Sequence, residues 1–191
     1  MKPFTIQIGA YLLGLLAFGG TANAATIFSS GYSNTFSVQP IAADWSTLSI
    51  AGGAGDSATS AQVGTNIAVL TAGAITNQLA VSNASPPLAV ARAVFVTNGY
   101  VQTRPTGNRI TVLMASFVNG TGSNVGALNI NYDLTLVAGI AEELPGHRVY
   151  YSFSGGTNSW IAVNALSGAD TNLSVNSMSA RLDLGVWPTN A

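Results

Sequence analysis

The sequence predicts an all-β protein, an antiparallel β-sandwich of jelly-roll or lectin-like kind, and three observations carry that reading. Apolar and polar residues alternate with period two in most runs after residue 88. Clusters of Gly, Pro, Asn and Ser punctuate those runs at short intervals. Helical patterns of roughly 10–15 residues between strands, which a parallel α/β sheet needs, are missing from that part of the chain.

In chain order, the first segment is a processing signal. Lys2 supplies a positive start, and Ile8 to Gly20 is a charge-free apolar run of 13 residues. Ala22-Asn23-Ala24 gives the small-x-small pattern of a cleavage site. Crossing about 30 Å of hydrocarbon takes about 20 apolar residues, so the run is too short for a membrane anchor. Met1 to Ala24 therefore reads as a secretory leader and 25–191 as one domain, secreted to the extracellular space or the periplasm. After leader removal no membrane span is expected.

Ser46 to Ile50 has the apolar–polar rhythm of a strand, and Ala51-Gly-Gly-Ala-Gly-Asp-Ser57 that of a loop. Between Ser60 and Ser82, Val63, Ile67, Leu70 and Ala74 follow helical spacing, which predicts one short helix there despite Gly64 and Gly73. Leu88 to Val96 and Ile110 to Val118 are more continuously apolar, interrupted only by Arg92 in the first and by Thr111 and Ser116 in the second, as in strands buried on both faces. Leu128, Ile130, Tyr132, Leu134 and Leu136 alternate with Asn129, Asn131, Asp133 and Thr135, the pattern of a half-buried strand. In His147 to Phe153, Val149, Tyr151 and Phe153 point inward while Arg148, Tyr150 and Ser152 point out. Ser159 to Val163 opens with Trp160, and Met178 to Leu184 alternates with Arg181 and Asp183 outward.

Composition removes whole classes of function. Lys and Arg number 6, Asp and Glu 7, so 7% of the 191 residues are charged against 48% hydrophobic. No basic tract exists to neutralise phosphates, which excludes nucleic acid as a partner. Cysteine is absent, so there is no disulfide framework, no thiolate nucleophile and no Cys-ligated zinc. The single histidine, His147, has no Gly-x-Ser-x-Gly elbow to serve. Gly120-Thr-Gly122-Ser-Asn-Val-Gly126 misses the dinucleotide spacing by one residue and is followed by a strand, so it reads as a hairpin turn.

Three chemistries remain. Asp133, Glu142 and Glu143 are the candidate metal ligands, because carboxylates in a loop suit Ca²⁺, and a structural calcium is the only cofactor expected. The same three residues carry the competing enzymatic reading, a secreted hydrolase working through paired carboxylates. Tyr150, Arg148 and Trp160 are the candidate ligand-binding residues. Flat aromatic faces on a neutral, Asn-rich surface can stack on sugar rings whose hydroxyls then need amide partners. No catalytic residue is assigned. The expectation is a non-catalytic module for surface binding or adhesion, with polysaccharide or another cell-surface ligand as partner; a purely structural module is the remaining alternative.

Several stretches also look alike to a known kind of module. Thr103-Arg-Pro-Thr-Gly-Asn108, Asn119-Gly-Thr-Gly-Ser123, Tyr132-Asp-Leu134, the run from Leu144 to Ser152, and Ser159-Trp160 together resemble a secreted bacterial β-sandwich module. That module occurs near the N-terminus of large extracellular proteins, often ahead of lamin-tail-like or immunoglobulin-like domains. The likeness spans residues 36 to 187; it implies the sandwich fold and transfers no functional residue. The family pattern continues beyond Trp187-Pro188 into another apolar strand and an acidic segment. The resemblance thus implies that this chain is an N-terminal fragment with further C-terminal domains missing.

Overall fold

The computed structural model describes residues 12–18, 24–52, 59–84, 92–104, 109–135, 147–168 and 175–191. In chain order the strands are β1 (Leu12–Phe18), β2 (Ala25–Ile27) and β3 (Trp45–Ala51). After helix α1 (Ser60–Ala68) come β4 (Asn77–Gln78), β5 (Ala80–Val81), β6 (Val94–Val96) and β7 (Tyr100–Gln102). The remainder are β8 (Arg109–Asn119), β9 (Val125–Thr135), β10 (His147–Ser152), β11 (Ile161–Ala162) and β12 (Val175–Trp187). Single 3₁₀ turns lie at Ala72–Ala74 and Asn164–Leu166.

The described residues are mostly β, and the sheets are mixed rather than antiparallel. A seven-stranded sheet runs β11-β10-β1-β8-β3-β4, with β2 also paired to β8. β12 and β9 form a two-stranded sheet, and β5-β6-β7 a three-stranded one. In the large sheet every parallel pairing involves β1 or β2: β1 with β8, β1 with β10, and β2 with β8. The remaining pairs of that sheet, β10 with β11, β3 with β4 and β3 with β8, are antiparallel. The third sheet is mixed as well, with β5 parallel to β6. The expected antiparallel order therefore fails where the extreme N-terminal segment enters and at β5.

β8 is the spine, and its mostly apolar sequence follows from burial on both faces. Leu113, Ala115 and Phe117 join the main core; Ile110, Val112 and Met114 face a second cluster on the opposite side. The main core packs β8 and Trp45 of β3 against Tyr132 and Leu134 of β9, Leu182, Leu184 and Trp187 of β12, and Phe95 and Val101 of the third sheet. The second cluster is closed by α1 through Val63 and Ile67, one turn apart on its inner face.

α1 begins at a capping box. The Thr59 hydroxyl accepts from the Gln62 N–H at 3.2 Å, and the Gln62 side chain accepts from the Thr59 N–H at 2.7 Å. The helix occupies the start of the predicted 60–82 interval and stops at Ala68; past it the chain makes a 3₁₀ turn and β4. Of Leu88 to Val96, the last three residues are β6, while 85–91 lie outside the described residues, as do 53–58 of the expected loop. The run at 120–126 is a tight connection but not a hairpin, because β8 and β9 belong to different sheets. Asn119 makes that crossing. Fully buried, its amide donates to Ser123 O (2.8 Å) and Trp187 O (2.9 Å), and its Oδ1 accepts from the Thr121 N–H (3.1 Å) and hydroxyl (2.7 Å). No helix among the described residues is long and apolar enough to cross a membrane.

Candidate functional site

β10 positions the polar candidates. Its alternation sends Val149 and Tyr151 to the main core and Arg148 and Tyr150 to the opposite face. There Arg148 and Tyr150 line a cleft of about 350 Å³ with Asn164, Ser167 and Ser60 at the start of α1. Arg148 Nη1 donates to the carbonyls of His147 (2.8 Å) and Gly168 (3.1 Å), which holds the guanidinium along one rim. Ser167 is fixed by the 3₁₀ turn: its hydroxyl donates to Val163 O (2.9 Å) and accepts from the Val149 N–H (3.0 Å).

Tyr150 is half-buried rather than facing solvent as expected, because part of its ring packs on the second cluster, which the sequence pattern did not reveal. Burial pushes its phenol upward from the ordinary tyrosine range, and the Arg148 charge pulls part of that back. The phenol is therefore neutral at physiological pH and able to donate. Trp160 does not join the cleft. Its indole N–H donates to Leu70 O at 2.9 Å and its ring packs on the second cluster, fastening the Ser159–Val163 segment to the residues after α1.

Under the cleft, His147 is buried and serves the fold. Its Nε2 lies 2.6 Å from the Tyr132 hydroxyl, which also donates to Leu166 O at 3.0 Å. A phenol has one hydrogen and a carbonyl can only accept, so the bond to Leu166 takes that hydrogen and Nε2 must carry its own. Burial raises the Tyr132 phenol far above its usual range, which keeps it neutral. The pair ties β9, β10 and the 3₁₀ turn together.

The acidic candidates are not brought into one group within the described residues. Asp133 lies on the outward side of β9, where its carboxylate accepts from the Ser177 hydroxyl at 2.7 Å. Glu142 and Glu143 lie outside the described residues. Among the described residues no cluster of three or more His, Asp or Glu that could hold a metal ion occurs.

A second concavity, of about 320 Å³, was not foreseen. Phe28 and Tyr32 from the turn after β2, Phe117 of β8, and Leu128 and Ile130 of β9 give it apolar walls. Asn129 and Asn131 stand at the β9 edge, and Leu16 of β1 closes one side. Phe28 is 57% exposed there. The Phe28-Ser-Ser-Gly31 stretch signals only a turn, and which strand it meets is a tertiary fact that local pattern does not contain. No protein-family model, curated protein or solved structure matches this chain.

Proposed function

We propose that this protein is an exported, non-catalytic β-sandwich module that binds polysaccharide weakly at a cell surface or in the extracellular space. In this reading Met1 to Ala24 is removed and the resemblance to the N-terminal modules of large extracellular proteins reflects descent. The observation that carries it is the cleft on β10: a half-buried neutral phenol two residues from a pinned guanidinium, faced by the Asn164 amide. A sugar ring can lay its C–H face on Tyr150 while Arg148 and Asn164 bond its hydroxyls. Among the described residues Arg148 is the one charged residue lining the cleft, whose volume of about 350 Å³ suits one or two residues of a longer chain.

Affinity should be modest, with Kd about 1 mM or about −4 kcal/mol. A thermal-unfolding panel of soluble neutral polysaccharides tests the reading. The expected result is a shift with at least one polymer that Tyr150→Ala abolishes and Tyr150→Phe largely keeps. A shift that survives Tyr150→Ala and Arg148→Ala unchanged, or none across the panel, would overturn it.

A further inference from the structure

The apolar leader and the central sheet strand are the same residues. Strand β1 is Leu12–Phe18, inside the leader, yet among the described residues it is the strand that joins the β10–β11 pair to β8 and the rest of the large sheet. It pairs with Thr111–Phe117 on one side and His147–Ser152 on the other, parallel to both. We propose that the space it occupies is a strand-acceptor site. Once the chain is cut after Ala24, β8 and β10 take up an apolar β-strand from a partner protein in β1's place and direction. This rests on the export reading above.

Removing β1 leaves two inner edges about two strand spacings, ~9.6 Å, apart. Each carries a row of backbone N–H and C=O groups without partners, which is a template for strand addition. The gap does not close on itself, because β10 is tied from both faces by bonds that do not involve β1. Toward the main core, Tyr132 holds His147 and Leu166. On the helix side Ala72 N–H donates to Gly155 O (2.7 Å), Asn158 N–H to Ala68 O (2.6 Å) and Trp160 to Leu70 O. Gly155 is a necessary part of that contact: at φ +61° it lies so close to Ala72 that a Cβ would come within 2.6 Å of the Ala72 methyl. β8 is held separately by β3.

The seated segment also specifies the occupant. Leu16 packs on the main core and Ala17 is buried in the second cluster, so the incoming strand must be apolar on both faces, with a small residue toward α1. No charged residue lies between Leu113 and Phe117 or between Val149 and Ser152. Leu16 also walls the 320 Å³ cavity, so its removal joins slot and cavity into one apolar groove. The mature chain has no spare described strand to refill it. β2 already pairs with Phe117–Asn119, in line with the vacated slot, and every other described strand is paired elsewhere.

The test uses the full chain with a specific protease site inserted between Gly19 and Gly20, purified intact and then cut. The probe is a fluorescent peptide of the Leu12–Phe18 sequence flanked by lysines. The cut chain should keep its N-terminal fragment through gel filtration and exchange it for one equivalent of probe. The same peptide with Arg at the Ala17 position should compete at least about tenfold less well, since it buries a charge. Loss of the fragment, with no uptake of probe and an unchanged melting temperature, would overturn the proposal, as would self-association that excludes the probe. A second measurement covers a misfolding insertion: residues 25–191 refolded with the probe should melt cooperatively at a higher temperature than without it, and equal melts contradict the site. The export reading fails separately, if protein recovered from the medium still begins at Met1.

Discussion

The β9–β12 ladder and the β1 slot keep strands in place by different means. β9 and β12 run antiparallel from Thr135 opposite Val175 to Ala127 opposite Asp183. Their outward residues bond across the strands, Ser177 to Asp133 at 2.7 Å and Ser179 to Asn131 at 2.6 Å, while Tyr132, Leu134, Leu182 and Leu184 face the core. One face is wet and the ladder carries its own partners. β1 has both edges paired and side chains in both clusters. A half-wet ladder tolerates change on its outer side; a strand enclosed on four sides is either complete or missing, and its neighbours depend on it.

The largest expected contrast comes from one substitution placed in each region. Ala17→Arg in the intact chain puts an unpaired charge between α1 and the large sheet and should cost about 4 kcal/mol in denaturant unfolding. Ser179→Arg, on the exposed side of the ladder, should stay within about 0.5 kcal/mol. Equal effects would erase the distinction.

Next in size is Asn119→Ala. Asn119 joins the end of β8 to Trp187 of β12 through a fully buried side chain, and its loss leaves the Trp187 and Ser123 carbonyls short of a donor. A cost of about 3 kcal/mol is expected, read as a lower denaturant midpoint with an unchanged slope.

These two contrasts also mark what was legible in the sequence. Period-two alternation located β9, β10 and β12, and the mostly apolar run at 110–118 located a strand covered on both faces, because those patterns are direct consequences of which side is wet. Partners were not legible. Nothing local in Leu128 to Leu136 says that it pairs with Met178 to Leu184 rather than with β8, and the Gly-rich stretch at 120–126 looks the same as a hairpin or as a crossing. A 13-residue apolar run satisfies an export signal and a buried strand equally, so the pattern at Ile8 to Gly20 did not reveal that Leu12–Phe18 is a sheet strand. At the candidate site, Arg148 and Tyr150 share a face by strand periodicity alone. The half-burial of Tyr150 depends on the second cluster, to which α1 brings Val63 and Ile67 from distant sequence, and Asn164 and Ser167 carry no signal beyond being turn residues.

Tyr132→Phe sharpens the account of how β10 stays put without β1. It removes the hydroxyl shared by His147 and Leu166 and should cost about 2 kcal/mol at neutral pH. It should also change the alkaline limb of stability. Burial raises the folded-state phenols of Tyr132, Tyr32 and Tyr150 above the ordinary value of about 10. Above that pH the unfolded chain loses protons that the folded chain retains, so their contribution is complete below pH 10 and declines as pH rises beyond it. The variant should show a shallower decline; an identical slope would contradict the burial of that hydroxyl. The smallest effect is expected at the ladder's outer surface. The Arg181–Asp183 pair, at 2.9 Å and largely exposed, should change stability by no more than a few tenths of a kcal/mol on Arg181→Ala.

Amide hydrogen exchange on the intact chain, and again after the N-terminal segment that carries β1 is cut and released, addresses the central claim most directly. The account predicts that the amides of Thr111–Phe117 and His147–Ser152 on the edges facing β1 lose protection together, while those of the β9–β12 ladder keep theirs, and that adding the apolar strand peptide restores the lost protection. Unchanged protection along β8 and β10 after release would contradict it, because the two edges would then have found each other and no strand site would exist.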